Sequence, residues 1–333
     1  MKKILFILST LLLFSSCEKL FFDEAIETND PMTNFEYLWN ECDRKYSYFE
    51  LKKINWDSIK TVYTGKVYPG MSDDSLFNVL GAMLSALKDD HTNLISDFNI
   101  SRFGVKYLGQ DNFDWRIIVD HYLGSDYYIS GPLKHNFLPD ENIGYVRFSE
   151  FSGIKNENLD FVLNRYKFTD GIILDIRENG GGYISDVFKI LSRFINTKTL
   201  IYYVKIKTGE GHNDFSEPEP TYIYPYSGIK YLKKVIILTD RGTYSAGSLT
   251  SLGSKALANV SLVGDYTGGG LGLPNGEQLP NGWSFRFSVT QTLTLDKNPE
   301  YEKGVPPDYH VLFDWNNLNK DEILEKAIEI IKN

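Results

Sequence analysis

Two short, mostly aliphatic runs limit the folds open to this chain more than any other feature. Gly171–Ile176 and Val235–Leu238 contain almost no polar side chains, which is typical of strands buried on both faces of a sheet. A turn and a helical segment follow each run, at Ser185–Phe194 and at about 246–257. Strands that alternate with helices in this way predict an α/β core over residues 141–333.

Further elements of this core follow from the same patterns. Strands are predicted at Gly144–Phe148, Leu200–Val204, Ser261–Val263 and within Trp283–Leu295, and helices at Leu159–Tyr166 and from about Asn319 onward. Glu322 is placed for a capping box at the start of the last helix.

The segment before the core divides into a helical part and an irregular part. Residues 33–92 are predicted to form an N-terminal helical lobe, with Thr33 and Ser72 as helix caps. Residues 93–140 are expected to form irregular β structure that connects the lobe to the core. Its strand-like pieces are Trp115–Val119 and Tyr127–Ile129.

The N-terminus has the pattern of a bacterial lipoprotein signal. A basic start is followed by the apolar run Ile4–Phe14 and then by Ser15, Ser16 and Cys17. The run is too short to span a bilayer but fits the apolar part of an export signal. We expect residues 1–16 to be removed, Cys17 to carry the lipid, and residues 17–32 to be a tether.

The alternative for this segment is an ordinary cleaved secretory signal with an incidental cysteine. Either signal predicts export to the cell envelope. Lipidation predicts a membrane partner, with the chain anchored at the outer membrane on its periplasmic or surface face.

Composition excludes several classes of partner. The chain of 333 residues has a net charge of −9, whereas nucleic acids and anionic membrane surfaces require a basic face.

Two cysteines cannot form a disulfide framework, and Cys42 is expected to be a buried, unreactive thiol. No Cys or His cluster has the spacing of metal ligands, so neither a metal nor another cofactor is expected. The glycine-rich segment 264–272 lacks the lysine and hydroxyl residue of a phosphate-binding loop.

Three segments could carry chemistry, and each also has a structural interpretation. Leu174–Gly182 ends in three glycines, which favours either an anion-binding cradle or a tight turn. Ser245 follows a buried strand and opens a helix, so it is either an exposed nucleophile or a helix cap. His91 follows Asp90 at the end of a helix, and is either a general base supported by that carboxylate or a surface residue.

The order of five segments resembles the tail-specific, or C-terminal-processing, serine peptidase family, which includes tricorn protease and the interphotoreceptor retinoid-binding protein modules. The segments are Leu87–Thr92, Ile143–Phe148, Leu174–Gly182, Thr243–Gly247 with Gly264–Gly270, and Gly304–Asp308. Each is short, but the five occur in the family's order. The resemblance implies a crotonase-like (ClpP/crotonase-type) α/β core.

The resemblance also implies roles for individual residues. Ser245 matches the nucleophile, and His91 matches the general base of the tricorn-like branch. The oxyanion hole is expected from the N–H of Ala246 and one N–H within Gly180–Gly182, with Gly181 preferred. Glu302 falls near the acidic residue that orients this site, one residue closer to the following glycine than in the family pattern.

Three departures from the family pattern are visible in the sequence. The lysine base that the bacterial processing branch places twenty-five residues after the nucleophile is replaced by Gly270, which leaves Ser–His catalysis. The glutamate expected three residues after the nucleophile is Ser248. Residues 93–140 contain no PDZ-like segment, so substrate capture through a PDZ groove is not expected.

The resulting prediction is a serine peptidase that cleaves peptide or unfolded protein substrates through an acyl-enzyme. The alternative is an envelope lipoprotein on the same fold that binds a peptide or apolar ligand without turnover. A second alternative is a purely structural envelope lipoprotein.

Overall fold

The computed structural model describes residues 27–333, so the predictions for residues 1–16 and for Cys17 lie outside the described residues. The helices are α1 (Pro31–Lys45), α2 (Phe49–Lys52), α3 (Trp56–Thr64), α4 (Asp73–Ser85), α5 (Trp115–Ile118), α6 (Asn156–Arg165), α7 (Ile184–Leu191), α8 (Ala246–Ser254) and α9 (Glu322–Lys332).

Thirteen strands are present in the described part of the chain. They are β1 (Asn93–Ile95), β2 (Tyr128–Ser130), β3 (Leu133–Phe137), β4 (Ile143–Phe148), β5 (Gly171–Asp175), β6 (Thr199–Ile206), β7 (Glu219–Ile223), β8 (Lys234–Thr239), β9 (Val260–Gly264), β10 (Pro274–Gln278), β11 (Ser284–Ser288), β12 (Thr290–Leu293) and β13 (Tyr309–His310). The fold is mixed α/β, as the sequence predicts.

A seven-stranded sheet in the order β13-β9-β8-β5-β4-β3-β2 forms the centre of the molecule. The strands from β4 to β13 in this order pair in parallel, and β3 and β2 continue the sheet antiparallel. In β5, Ile172 and Leu174 join the core on one face while Ile173 joins the core on the other. This alternation explains the continuous apolar run, because a strand covered on both faces needs no polar side.

Two smaller antiparallel sheets complete the structure. One has the order β12-β6-β7 and the other β1-β11-β10. The second sheet packs Leu94, Phe285 and Phe287 against the helical lobe, so the lobe and the C-terminal half of the chain share a core. Ser72 caps α4 through its side chain, as predicted.

Four sequence-based details differ from the structure. Trp115–Val119 was expected as a strand but is helical, because Asp114 caps the segment and its apolar side chains pack on one core. The first helix is capped by Asp30 rather than Thr33 and begins at Pro31, where a proline is favoured.

The other two details concern the C-terminal helix and a boundary. The last helix begins at Glu322 with Asp321 as its cap, so the expected start near Asn319 and the capping box with Glu322 are wrong. The boundary predicted between residues 140 and 141 falls between β3 and β4, which are neighbours in one sheet.

A buried ion network connects the end of β5 to the last helix. Arg177 lies in the core and its guanidinium contacts Asp175 at 2.6 Å and Asp321 at 2.7 Å. Asp321 also accepts the N–H of Leu324 at the start of α9. This network anchors the chain where it leaves β5 and enters the glycine-rich turn.

We predict that Asp321→Ala lowers the free energy of unfolding by about 3–5 kcal/mol, because it leaves the buried Arg177 without one partner and removes a helix cap. Urea unfolding measures the loss. Glu329→Ala, which removes an exposed ion pair on the same helix, is the matched control and should leave the midpoint nearly unchanged. Equal midpoints for both variants would contradict the role of the network.

Candidate active site

The carboxyl ends of β5 and β8 bring two of the predicted segments together. The two strands are parallel neighbours, with Asp175 opposite Leu238, so the turns that follow them lie at the same edge of the sheet. The N–H of Tyr244 donates to the carbonyl of Asn179, which ties the turn before α8 to the glycine-rich turn.

Ser245 occupies the N-cap position of α8 but does not cap it. Its backbone has φ 54° and ψ −116°, and its side chain makes no capping hydrogen bond. A non-glycine residue with positive φ stores strain that the surrounding structure must support. Here the N–H of Ser245 donates to the carbonyl of Gly269 at 3.0 Å. The strained turn places the hydroxyl at the positive end of a helix without using it as a cap.

His91 is the side chain that meets this hydroxyl. Its Nε2 lies 3.0 Å from Oγ of Ser245, although the two residues are 154 positions apart. The imidazole packs edge-on against the ring of Tyr244, with centroids 5.0 Å apart. The histidine is 7% exposed, so the contact lies at the inner end of the cleft rather than on an open surface.

Asp89, rather than Asp90, supports His91. Oδ1 of Asp89 accepts the N–H of His91 at 2.9 Å and the hydroxyl of Tyr244 at 3.0 Å. Asp90 instead accepts the N–H groups of Gly104 and Val105. The prediction that Asp90 is the supporting carboxylate is therefore wrong. An aspartate that bonds the backbone two residues ahead is a common turn motif, and that signal was available in Asp89-Asp90-His91.

Burial and nearby charges set the protonation of the histidine. Burial lowers the pKa of His91 below 6.5. The charge of Asp89 raises this pKa, and the charge of Arg286 lowers it further. The backbone of Gly272 also raises this pKa, although Nδ1 of His91 makes no hydrogen bond of ordinary geometry among residues 27–333. Burial raises the pKa of Asp89, but the charges of Lys52 and His91 have the larger combined effect and hold the pKa of that carboxyl well below its usual range. At neutral pH the imidazole is uncharged and can accept a proton.

Glu302 lies behind the site and does not touch His91. Its Oε2 accepts the N–H groups of Leu271 and Gly272 at 2.7 and 3.1 Å. Its other oxygen is 3.7 Å from Nζ of Lys52. Burial, and more weakly the charge of Asp89, raise the pKa of Glu302 to about 7. In this geometry Glu302 holds the 271–272 backbone rather than the imidazole.

The predicted oxyanion donors are only partly available. The N–H of Ala246 has no intramolecular acceptor among the described residues. The N–H of Gly181 donates to Oδ1 of Asn179 at 2.9 Å, so the preference for Gly181 as the second donor is contradicted by this bond. Gly180 and Gly182 line the cleft, and their N–H groups have no acceptor within residues 27–333.

Gly181 has a steric role instead. Its φ is +99°, and a Cβ at this position would lie 2.7 Å from Cβ of Ser245 and 2.9 Å from the carbonyl oxygen of Tyr244. Only glycine allows the turn to approach the serine so closely.

The two residues that replace the family's lysine and glutamate have structural roles. A Cβ on Gly270 would lie 2.1 Å from Cζ of Tyr244, so the tyrosine ring fills the space into which a side chain at 270 would extend. Ser248 is buried and bonds the carbonyl of Thr243 and the hydroxyl of Thr267. No side chain at either position provides a second base for Ser245.

A cleft of about 810 Å³ opens in front of Ser245 and His91.

No group of three or more potential metal ligands was found among residues 27–333. Within the same residues no helix has the length and apolarity required to cross a membrane. Cys42 is buried, as predicted, and burial raises the pKa of its thiol.

Sites of the serine-nucleophile class share one arrangement: the serine hydroxyl lies within hydrogen-bond distance of an imidazole nitrogen. Here that pair lies at a helix N-terminus, beside a glycine turn. Comparison with known proteins agrees with this class. Residues 142–311 match Peptidase family S41, and residues 28–85 match the tricorn protease C1 domain. The chain belongs to peptidase family S41.

Curated relatives match about half of the chain. The carboxy-terminal processing protease CtpA of Bacillus subtilis (strain 168) is 26% identical over 172 residues, covering 51% of this chain and 35% of its own. Tricorn protease of Thermoplasma volcanium is 26% identical over 206 residues, covering 57% of this chain and 17% of its own. The chain thus spans about a third or less of these curated relatives.

Solved structures match over nearly the whole chain. A putative peptidase from Parabacteroides merdae ATCC 43184 has a TM-score of 0.87 and 40% identity, covering 92% of this chain and 98% of its own. Mature CPAF has a TM-score of 0.70 at 12% identity, covering 91% and 96%, which is a likeness of fold.

We predict that Glu302 makes stability depend on pH. Because its pKa is about 7 in the folded state and near 4.5 when exposed, its contribution to stability is complete below pH 4.5 and is lost as the pH rises through 7. From pH 5.5 to pH 8, wild type should lose at least about 1 kcal/mol of unfolding free energy relative to Glu302→Gln. Urea unfolding at the two pH values measures the difference.

Glu300→Gln, at an exposed neighbouring position, is the control and should follow wild type at both pH values. A constant difference between wild type and Glu302→Gln across this range would show that Glu302 does not bind a proton within it.

Proposed function

We propose that this protein is a serine peptidase in which Ser245 is the nucleophile and His91 is the general base. The observation that carries the proposal is the 3.0 Å contact between Nε2 of His91 and Oγ of Ser245, at a strained helix N-cap whose hydroxyl is not used for capping. Proteases of the same family imply peptide or protein substrates.

The geometry supports acyl transfer in two stages. Neutral His91 takes the proton of Ser245 as the hydroxyl oxygen attacks a peptide carbonyl, and the imidazolium then gives that proton to the leaving amine. Water, deprotonated by the same imidazole, releases the acyl group and restores the serine. Asp89 and Tyr244 hold the backbone and ring of His91 in place through both stages.

The oxyanion is stabilised by backbone donors. The free N–H of Ala246 points from the first turn of α8, where the helix dipole also favours negative charge. A second donor comes from the glycine turn, at Gly180 or Gly182, since the N–H of Gly181 is bonded to Asn179.

Turnover is favoured over ligand storage on this fold. A binding protein gains nothing from a serine held at positive φ, because that strain costs about 1–3 kcal/mol and serves to expose a reactive group. The Ser–His contact, with unbonded N–H groups at Ala246 and in the adjacent glycine turn, is therefore better explained by catalysis.

The finer architecture and the cellular location belong to the same proposal. The core is of the crotonase type, supported by the family resemblance and by the parallel sheet with helices on both faces. The chain is exported and anchored at the outer membrane by a lipid on Cys17, supported by the apolar run and Ser-Ser-Cys at its start.

We predict that Ser245→Ala and His91→Ala each lower kcat/KM for peptide hydrolysis by about a thousandfold or more, because each removes one half of the nucleophile pair. Release of a fluorophore from a mixture of quenched peptides measures the rate.

The matched controls are Ser125→Ala and His121→Ala, both at exposed positions outside the cleft. They should retain wild-type rates within about twofold. Hydrolysis by Ser245→Ala at the wild-type rate would refute the proposed function.

A further inference from the structure

One wall of the cleft is a face of the β1-β11-β10 sheet. His91, Asn93 and Ile95 line the cleft at alternate positions, while Leu94 between them belongs to the core. Arg286 on β11 is the register partner of Asn93 and lines the same wall. Because Asn93 and Arg286 are opposite each other across the strand pair, their side chains lie on the same face of the sheet, in the cleft that also contains His91.

The guanidinium of Arg286 is fixed from behind. Its Nε donates to Oδ1 of Asn93 at 2.7 Å. Asn93 is 4% exposed, and its own Nδ2 donates to the carbonyl of Ser101 at 2.9 Å. A buried amide held in this way orients the arginine fork in advance. The terminal nitrogens of Arg286 have no acceptor and no ion pair within residues 27–333.

The charge of the cleft is opposite to that of the chain. Arg102 also lines the cleft and makes no ion pair within the described residues. Two other cationic side chains of the cleft have partners within the protein. Lys106 pairs with Glu178 at 2.5 Å, and Arg241 donates to two backbone carbonyls.

The carboxylates of the cleft do not neutralise Arg286. Asp90 is occupied by two backbone N–H groups, and Glu178 is bonded to Lys106. A protein with a net charge of −9 thus leaves Arg102 and Arg286 with neither a carboxylate nor a backbone carbonyl partner within residues 27–333, in the cleft that contains Ser245. Isolated positive charges in a cleft of this kind attract an anionic ligand.

The rest of the cleft suits an apolar peptide. Ile95, Ile100, Ile184 and Leu273 contribute aliphatic surface to it. Apolar walls with a few placed polar groups are typical of sites that bind by shape and select by charge.

Building on the proposed function, we infer that Arg286, assisted by Arg102, is a specificity-determining residue that binds a carboxylate of the peptide substrate. The planar guanidinium matches a carboxylate through two parallel hydrogen bonds. The carboxylate is either the side chain of an acidic residue near the scissile bond or the free C-terminus of the peptide.

Binding to the full chain carrying Ser245→Ala tests the inference without requiring turnover. The probes are fluorescein-labelled octapeptides of alanine and leucine in which one position at a time is Glu or Gln, each made as the free acid and as the C-terminal amide. Fluorescence anisotropy measures Kd. We expect one of two results. Either a peptide with Glu at one particular position binds at least about tenfold more tightly than the same peptide with Gln there, or the free acid binds at least about tenfold more tightly than the amide.

Adding Arg286→Gln should reduce that preference to about twofold or less, and Arg286→Lys should retain part of it. Arg116→Gln, at an exposed site outside the cleft, is the control and should keep the full preference. Loss of the preference on amidation assigns the terminal carboxylate, and loss on Glu-to-Gln exchange assigns a side chain.

Equal binding of acidic and neutral peptides, no measurable binding of either, or a preference that survives Arg286→Gln would overturn the inference. Because the assay uses Ser245→Ala, its outcome is independent of hydrolysis. Failure of the proposed function would appear separately, as unchanged peptide hydrolysis by Ser245→Ala.

Discussion

One buried carboxylate holds the parts of the candidate active site together. Asp89 accepts hydrogen bonds from the backbone of His91 and the hydroxyl of Tyr244 through one oxygen. Its other oxygen accepts the hydroxyls of Tyr46 and Ser288 and lies 3.3 Å from Nζ of Lys52. These donors come from the helical lobe, the β11 sheet and the turn before α8. A charge buried this deeply is tolerable only when its oxygens are fully bonded, so the segments are fixed together.

The same network accounts for a replacement within the family pattern. Where the lysine of the processing branch is expected, Gly270 leaves space for the ring of Tyr244. The tyrosine uses that space to reach Asp89 and to pack against the imidazole. The glycine and the tyrosine thus form one arrangement, in which the proposed base, His91, comes from the helical lobe instead of from the core.

Much of the fold could be predicted from the sequence because its strongest signals are local. The apolar runs of β5 and β8 reflect burial on both faces, and Ser72 marks a helix start through its own side chain. The prediction of a strand at Trp115–Val119 is wrong because short apolar runs have no distinct helical or strand period, and the cap at Asp114 is the local signal for the helix.

The site was less predictable because its contacts join distant residues. Ser245 and His91 were found through their flanking segments, but their 3.0 Å contact depends on the whole fold. Whether Asp89 or Asp90 faces the histidine, and whether the N–H of Gly181 is free, depend on backbone geometry. Arg286 has no motif, and its importance follows only from its pairing with Asn93.

The central claim is that His91 activates Ser245 as a nucleophile. Reaction with a fluorophosphonate, followed by peptide mapping with mass spectrometry, tests it most directly because the reagent reports on the hydroxyl itself. The account predicts a single phosphonylated peptide that contains Ser245. It also predicts that His91→Ala lowers the labelling rate by about a hundredfold or more. Labelling at another serine, or an unchanged rate in folded His91→Ala, would contradict it.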